Sequence, residues 1–169
     1  YWDKKVFRVN PLTGETLSWF NVIENPYGIV WDGQYLWVGG SSGNIYGYDL
    51  AGNPVGSFSS PVFGYPALTW DGEYFLGAKM WEFNPTFYKF DYYGNIIELF
   101  TSSFGDEISQ MIWVPGHDGG TLWTVKELGG DVRRFDLDSG IADEVNLFNI
   151  SSSDNSTRYA IAHDGTDLW

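Results

Sequence analysis

"GIVWDGQYLWV", residues 28–38, holds the pattern on which the rest of the chain aligns. An apolar run leads into Trp31. Asp32–Gly33 interrupts it, and a second run begins at Tyr35. Residues that favour strands on both sides of Asp-Gly read as two antiparallel strands and a tight turn. Asp-Gly suits a two-residue hairpin loop, whose central positions need positive φ. The pattern returns as "ALTWDGEYFLG" at 67–77, "QMIWVPGHDGGTLWTV" at 110–125 and "AIAHDGTDLW" at 160–169.

The first three copies continue alike. A third strand follows at "NIYGYD" (44–49), "TFYKFD" (86–91) and "DVRRFD" (131–136), then a Gly-containing turn. A fourth strand follows at "NPVGSF" (53–58), "NIIELF" (95–100) and "DEVNLF" (143–148). The last copy stops after two strands, and its counterparts stand at the other end of the chain. "KKVFRVN" (4–10) matches the third strand, and "PLTGETLSWF" (11–20) matches the turn and the fourth. Counted around a circle, the steps between Trp31, Trp70, Trp113 and His163 are 39, 43, 50 and 37 residues. Each is about the length of one four-stranded propeller blade, roughly 40–45 residues.

The chain thus reads as all-β: a four-bladed β-propeller in which each blade is a four-stranded antiparallel sheet. It forms a single domain over 1–169. Blades are expected at about 28–61, 67–104 and 110–150, with a last blade that joins 160–169 to 1–24 and leaves no open edge. The repeat resembles the broad propeller superfamily whose blades carry a W-D-G-x-x-L-W signature. That resemblance covers essentially the whole chain and speaks to architecture. Propellers host unrelated activities, so it does not choose a function.

Composition agrees with the repeat. Nine Trp, eleven Tyr, twelve Phe and 21 Gly suit pleated sheets and tight turns. Net charge is −13, which argues against nucleic acid or an anionic membrane as partner. With no Cys there is no disulfide framework and no thiolate chemistry. No apolar run approaches the ~20 residues that span a bilayer. There is no signal peptide and no initiating Met, so a processed, trimmed or partial chain is expected.

Most recurring residues read as scaffold. Asp32, Asp71, Asp118 and Asp164 recur because a turn recurs. Asp49, Asp91, Asp136 and Asn10 are expected to end third strands and cap the following turns. Trp31, Trp70, Trp113 and His163 share a first-strand position. Trp37, Trp123 and Trp169 share a second-strand position, with Leu76 as the exception. Their flat rings are expected to fill the wedges between blades. Gly28, Ala67, Gln110 and Ala160 begin the inner strands, where convergence on the axis favours small residues. Gln110 is the polar exception and a candidate to line the channel, where it would help to hold water or a cation. No metal site and no cofactor are otherwise expected.

In the superfamily picture, ligands sit on the face of the second-to-third and fourth-to-first strand loops. Those loops are where this chain departs from its own repeat, which hints at a binding face. "GAKMWEFNP" (77–85) is longer than its counterpart "GGSSG" (39–43) and carries Lys79, Trp81 and Glu82. The matching loop of the next blade carries Lys126 and Glu127. Inter-blade loops add Tyr65, Asp106, Glu107 and Tyr159. A flat apolar ring beside charged and amide groups suits a sugar or a peptide. The loop between 146 and 160 holds two glycosylation sequons, at Asn149 and Asn155, which points to an extracellular or cell-surface protein.

No paired carboxylates, nucleophilic elbow or metal cluster emerges from spacing, so no catalytic residue is assigned. The leading expectation is a non-enzymatic binding or assembly module. Its ligand would be a protein, a carbohydrate or copies of itself, joined through the split blade. The alternatives are a small metal-dependent hydrolase or lactonase-type enzyme, and a lectin.

Overall fold

A computed structural model describes residues 3–103, 105–116, 121–126, 131–138, 141–149 and 161–163, with the backbone alone at 138, 141 and 143–149. Among them every helix or strand is a strand. They run β1 (Lys5–Val9), β2 (Thr16–Asn21), β3 (Pro26–Trp31), β4 (Leu36–Gly40), β5 (Asn44–Tyr48), β6 (Pro54–Ser59), β7 (Pro66–Trp70), β8 (Phe75–Lys79), β9 (Phe87–Phe90), β10 (Ile96–Phe100), β11 (Gln110–Val114), β12 (Thr121–Val125), β13 (Asp131–Asp138) and β14 (Ile141–Asn149). They form three four-stranded antiparallel meanders, β3–β6, β7–β10 and β11–β14, and the two-stranded sheet β1–β2. This is the all-β propeller that the repeat predicts.

The first strand of each meander is innermost. β3 packs against β7, and β7 against β11. Residues from all three, with Ile161 and His163, line one axial cavity. The segment 161–163 thus takes the inner-strand place of a fourth blade, and Ile161 packs on the third meander beside Val114 and Val132. At the other flank, Val6 and Phe20 of β1–β2 pack onto Val22, Val38 and Tyr48. Residues 164–169, on which the pairing of the two chain ends depends, lie outside the described residues.

Aromatic layers hold the blades together. Trp37 is buried against Phe58 of its own blade and Phe75 and Tyr92 of the next. The next wedge holds Leu76, Phe87, Met111, Leu122 and Phe135. Each ring buries a large apolar area on a sheet that cannot cover itself. The first-strand tryptophans share their burial with the axial cavity. Trp31, Trp70 and Trp113 all line it, but Trp70 also packs on Phe75 and Tyr92 and Trp113 on the core of the next wedge, while Trp31 is 43% exposed. Ile29 and Val30 of β3 and Leu68 and Thr69 of β7 line the cavity beside these tryptophans.

The Asp-Gly turns also differ from expectation. Trp31 pairs with Leu36 and Trp70 with Phe75, so each loop has four residues, not two. Gly33 and Gly72 alone adopt positive φ. Each Asp instead accepts backbone N–H groups: Asp32 Oδ1 from Gln34 and Tyr35, Asp71 Oδ1 from Glu73 and Tyr74. Such Asx turns need no positive φ at the Asp. Asp32 Oδ2 further accepts the Trp37 indole N–H at 2.6 Å and the Tyr92 hydroxyl of the next blade at 2.9 Å. In the next blade Leu76 replaces that Trp, and the residue paired with it is Lys89. The Lys89 ammonium takes the vacant donor role, 2.8 Å from Asp71.

Asp49 and Asp91 cap their turns as expected. Each accepts the backbone N–H two and four residues ahead and a side-chain N–H from the Asn at the latter position, Asn53 or Asn95. Asp136 does not end its strand as expected: it lies within β13 opposite Asp143, and the hairpin continues to Asp138–Ile141. The residue four ahead of Asp136 is Gly140, which has no amide side chain to complete the clasp.

Gly28 shows why small residues start the inner strands. A Cβ there would meet the Pro66 carbonyl oxygen at 2.6 Å and the Leu68 nitrogen at 3.0 Å, both backbone of the neighbouring blade. We expect Gly28→Ala to destabilise the fold by about 2 kcal/mol, because neither atom can rotate away. Chemical denaturation checks this, and a loss below the experimental error would refute the close approach.

Glu24, between β2 and β3, grips the β4–β5 turn. It accepts the Tyr46 hydroxyl at 2.5 Å, the Ser42 hydroxyl at 2.7 Å, the Ser42 N–H at 2.8 Å and the Ser41 hydroxyl at 3.3 Å. Partial burial pushes the carboxyl up, but these donors together outweigh it and bring it from 4.5 down to about 2. A carboxyl depressed by folding stabilises the protein above its unfolded value and loses that contribution as pH falls through the folded one. The melting temperature of the wild type is therefore expected to fall between pH 4.5 and 2 more steeply than that of Glu24→Gln. Parallel curves would contradict it.

Candidate functional site

The loops at the N-terminal ends of the inner strands gather most of the residues singled out by the repeat. The rings of Tyr65 and Trp81 pack at a tilt of 58° with centroids 5.3 Å apart. Tyr27 completes a trio, 4.7 Å from Tyr65 and 6.1 Å from Trp81, edge-on to both. Tyr65 is 40% and Trp81 37% exposed. Phe63 at 81% and Phe83 at 67% extend the aromatic surface along the same loops.

The backbone beneath this surface is strained. The described non-glycine residues with positive φ are Tyr65 (43°), Trp81 (60°) and Asn84 (52°). Each such conformation costs of order 1 kcal/mol and persists only where its surroundings dictate it. They do so here. The Met80 N–H donates to the Tyr65 carbonyl, Trp81 to Ile108 and Asn84 to Asp106, at 3.0, 3.0 and 2.9 Å. The Gly105 N–H donates to the Asn84 side chain at 2.7 Å, and the Ser102 hydroxyl to the Pro85 carbonyl at 2.6 Å. The long loop after β8 is thus fastened to the loop before β11 along its length.

Charge is arranged in two groups. Lys79 and Glu82 form an exposed pair at 3.9 Å, of a kind that contributes little to stability. Asp106 is more deeply engaged. Its Oδ2 lies 2.8 Å from the Lys126 ammonium and 2.9 Å from the buried Arg133 guanidinium, which also faces Asp131 at 3.7 Å. A carboxylate that serves two cations is a fastening between the loop and β13. It is poorly placed to act as a base or to ligate a metal. Glu107 follows it, with its N–H donating to Asp106 Oδ1. Gln110 reaches across the blade between, its amide 3.5 Å from the Tyr27 carbonyl, while its own oxygen accepts the Met111 N–H at 3.0 Å. Among the described residues no group of three or more metal-binding side chains converges.

The expected site residues therefore fall into linked pairs: Lys79 with Glu82, Tyr65 with Trp81, Asp106 with Lys126. Glu127, Tyr159 and Asn155 lie outside the described residues. Asn149 ends β14 opposite Asp131. Sequence reasoning missed Tyr27 and Arg133. Tyr27 had a signal, since it stands at the start of the inner strand of its blade, close to the place that Tyr65 takes just before the next. Arg133 had none, because a cation in a strand declares nothing about its partner.

Replacing Asp106 with Asn leaves Arg133 buried without its nearest anion. The expected cost is about 3 kcal/mol, since the loss of one member of a buried pair strands the other. Equilibrium unfolding measures it. A change within error would mean that Asp131 alone suffices.

No protein-family model matches the chain, and no curated protein sequence does. Solved structures do match in shape. A chain in the crystal structure of the mitotic checkpoint complex is 19% identical at a TM-score of 0.59, over 94% of this chain and 47% of that one. The WD40 domain of coronin from Toxoplasma gondii is 17% identical at 0.57, over 89% and 41%. The WD40 domain of Pan2 from Neurospora crassa is 9% identical at 0.55, over 97% and 51%. This chain spans about half the length of the structures it matches. At such identities the likeness concerns fold alone, and the fold is a β-propeller.

Proposed function

We propose that the chain is a non-enzymatic binding module that seats a protein partner on the aromatic face around Tyr27, Tyr65 and Trp81. The observation that carries this reading is the coincidence of strain and exposure. Tyr65 and Trp81 are held in an unfavourable backbone conformation and yet leave their rings part-exposed. A residue serving only the core would gain its packing without that cost. Strain of this kind concentrates at ligand-binding sites. Exposed Trp and Tyr with Phe63 and Phe83 beside them form the sort of patch that binds proteins. The WD40 architecture of the structural neighbours is compatible with this role, and Lys79, Glu82 and Lys126 supply charges near the patch.

The reading includes an extracellular or surface location, supported by the sequons at Asn149 and Asn155. Assembly through the split blade remains part of it, supported by the division of the repeat between the chain ends. An enzymatic role receives less support, because Asp106 and Glu82 are each engaged by a cation.

Arrays of immobilised peptides and glycans, probed with wild type and Trp81→Ala, test the reading. Peptides retained by the wild type and bound about tenfold or more weakly by Trp81→Ala are expected, as for loss of a hot-spot aromatic. Binding to glycans alone would convert the module to a lectin. Peptide binding that Trp81→Ala leaves intact would place the site elsewhere.

A further inference from the structure

A second concave site lies along the axis. Trp31, Trp70 and Trp113 hold one register position on three successive inner strands, and His163 holds it in the segment that follows. All four line a cavity of about 450 Å³, together with Ile29 and Leu68 among others. That volume lies in the range of small-molecule sites, roughly 300–1,000 Å³. The described lining is mostly apolar, and none of its residues is Lys, Arg, Asp or Glu. Trp31 remains 43% exposed in the middle of a domain built on buried aromatics, so one indole stands ready with no ring packed over it.

Three indoles line the void, and an indole ring attracts a cation that reaches its face. A small ammonium is strongly hydrated and would lose that hydration on entry. A quaternary ammonium is weakly hydrated and loses little, so the aromatic attraction survives. The charge around the cavity favours the same choice. His163 is the one basic side chain among the described lining residues, none of which is Lys or Arg, and the chain as a whole carries −13. Asp32 follows Trp31 directly. Its hydrogen-bond donors, the Trp37 indole, the Tyr92 hydroxyl and two backbone N–H groups, are all neutral and preserve its negative charge. Asp71, its counterpart after Trp70, is neutralised by Lys89. Burial pushes the Asp32 carboxyl up, but the four donors outweigh it and hold it below the usual range.

We propose that the axial cavity is a binding site for a small quaternary ammonium group, caged by Trp31, Trp70 and Trp113. Gln110 lines the same cavity toward the loop face, as expected for a channel residue, but the three tryptophans lie at the other end, because they end or nearly end their strands beside the first-to-second strand turns.

The test uses choline and its neutral isostere, in which the quaternary nitrogen is replaced by carbon, each titrated at fixed ionic strength and followed by tryptophan fluorescence and calorimetry. Saturable choline binding at least about tenfold tighter than the isostere is expected, as a desolvated cation–π contact supplies. Trp31→Leu keeps an apolar, foldable side chain at an exposed position and is expected to weaken choline about tenfold. Trp19→Leu, on exposed β2, is expected to leave it unchanged. Three results would overturn the proposal: no saturable choline binding, equal binding of the isostere, or choline affinity untouched by Trp31→Leu. Because Trp81 lies on the other face, Trp81→Ala should not alter choline binding, which separates failure here from failure of the partner site.

Discussion

A four-stranded sheet of this size can bury neither of its faces alone, and every other feature of the molecule follows from how one blade covers the next. The contact is closest at the inner strands, where Gly28 brings β3 against the backbone of Pro66 and Leu68. It is fixed in register there by a hydrogen bond from the Trp113 N–H to the Thr69 hydroxyl at 2.8 Å. Farther out the gap widens, and rings of increasing area fill it. A wedge cannot be filled by one side-chain size, which explains the run from Gly and Ala at the axis to Trp37, Phe75 and Phe135 outside.

The turns belong to the same scheme. Asp32 orders its own loop and then reaches two rings, one from its blade and one from the next. The clasp tolerates substitution when charge replaces what shape removes. Leu76 cannot donate a hydrogen bond, and Lys89 does so from the partner strand. A Trp at position 76 would lie over the residue at 89, as Trp37 lies over Gly47, where a Cβ would come within 2.7 Å of the indole. Leu with Lys and Trp with Gly are thus two solutions to one packing problem.

The two ends of the inner strands are built to different purposes. At their N-terminal ends the loops are long, strained and tied down by backbone hydrogen bonds, which presents rings to solvent in fixed positions. At the other end the turns are short and repeated, and the rings face inward on a void. The loop face is specific to this chain, whereas the Trp ring follows from the repeat itself. A repeat places equal residues at equal distances from its axis, so three similar side chains converge without any one of them being encoded for the purpose.

The blade pattern, its period and the strands within it are legible in the chain alone, because side-chain alternation and turn chemistry are local and recur four times. So are the loops that carry Lys79, Trp81, Glu82 and Asp106, since departures from a repeat are visible in one dimension. What those residues touch depends on how the blades pack. Asp106 looked like a free carboxylate until Lys126 and Arg133 were seen on it, and Trp31 looked like core until the axis beside it proved hollow. Asp136 lies inside its strand, and the position that holds Asn in the clasps of Asp49 and Asp91 is Gly140 there. The division has a physical reason. Hydrogen bonds within a turn join residues two to five apart, whereas the pairs that define both sites join residues tens apart, brought together by the angle between blades.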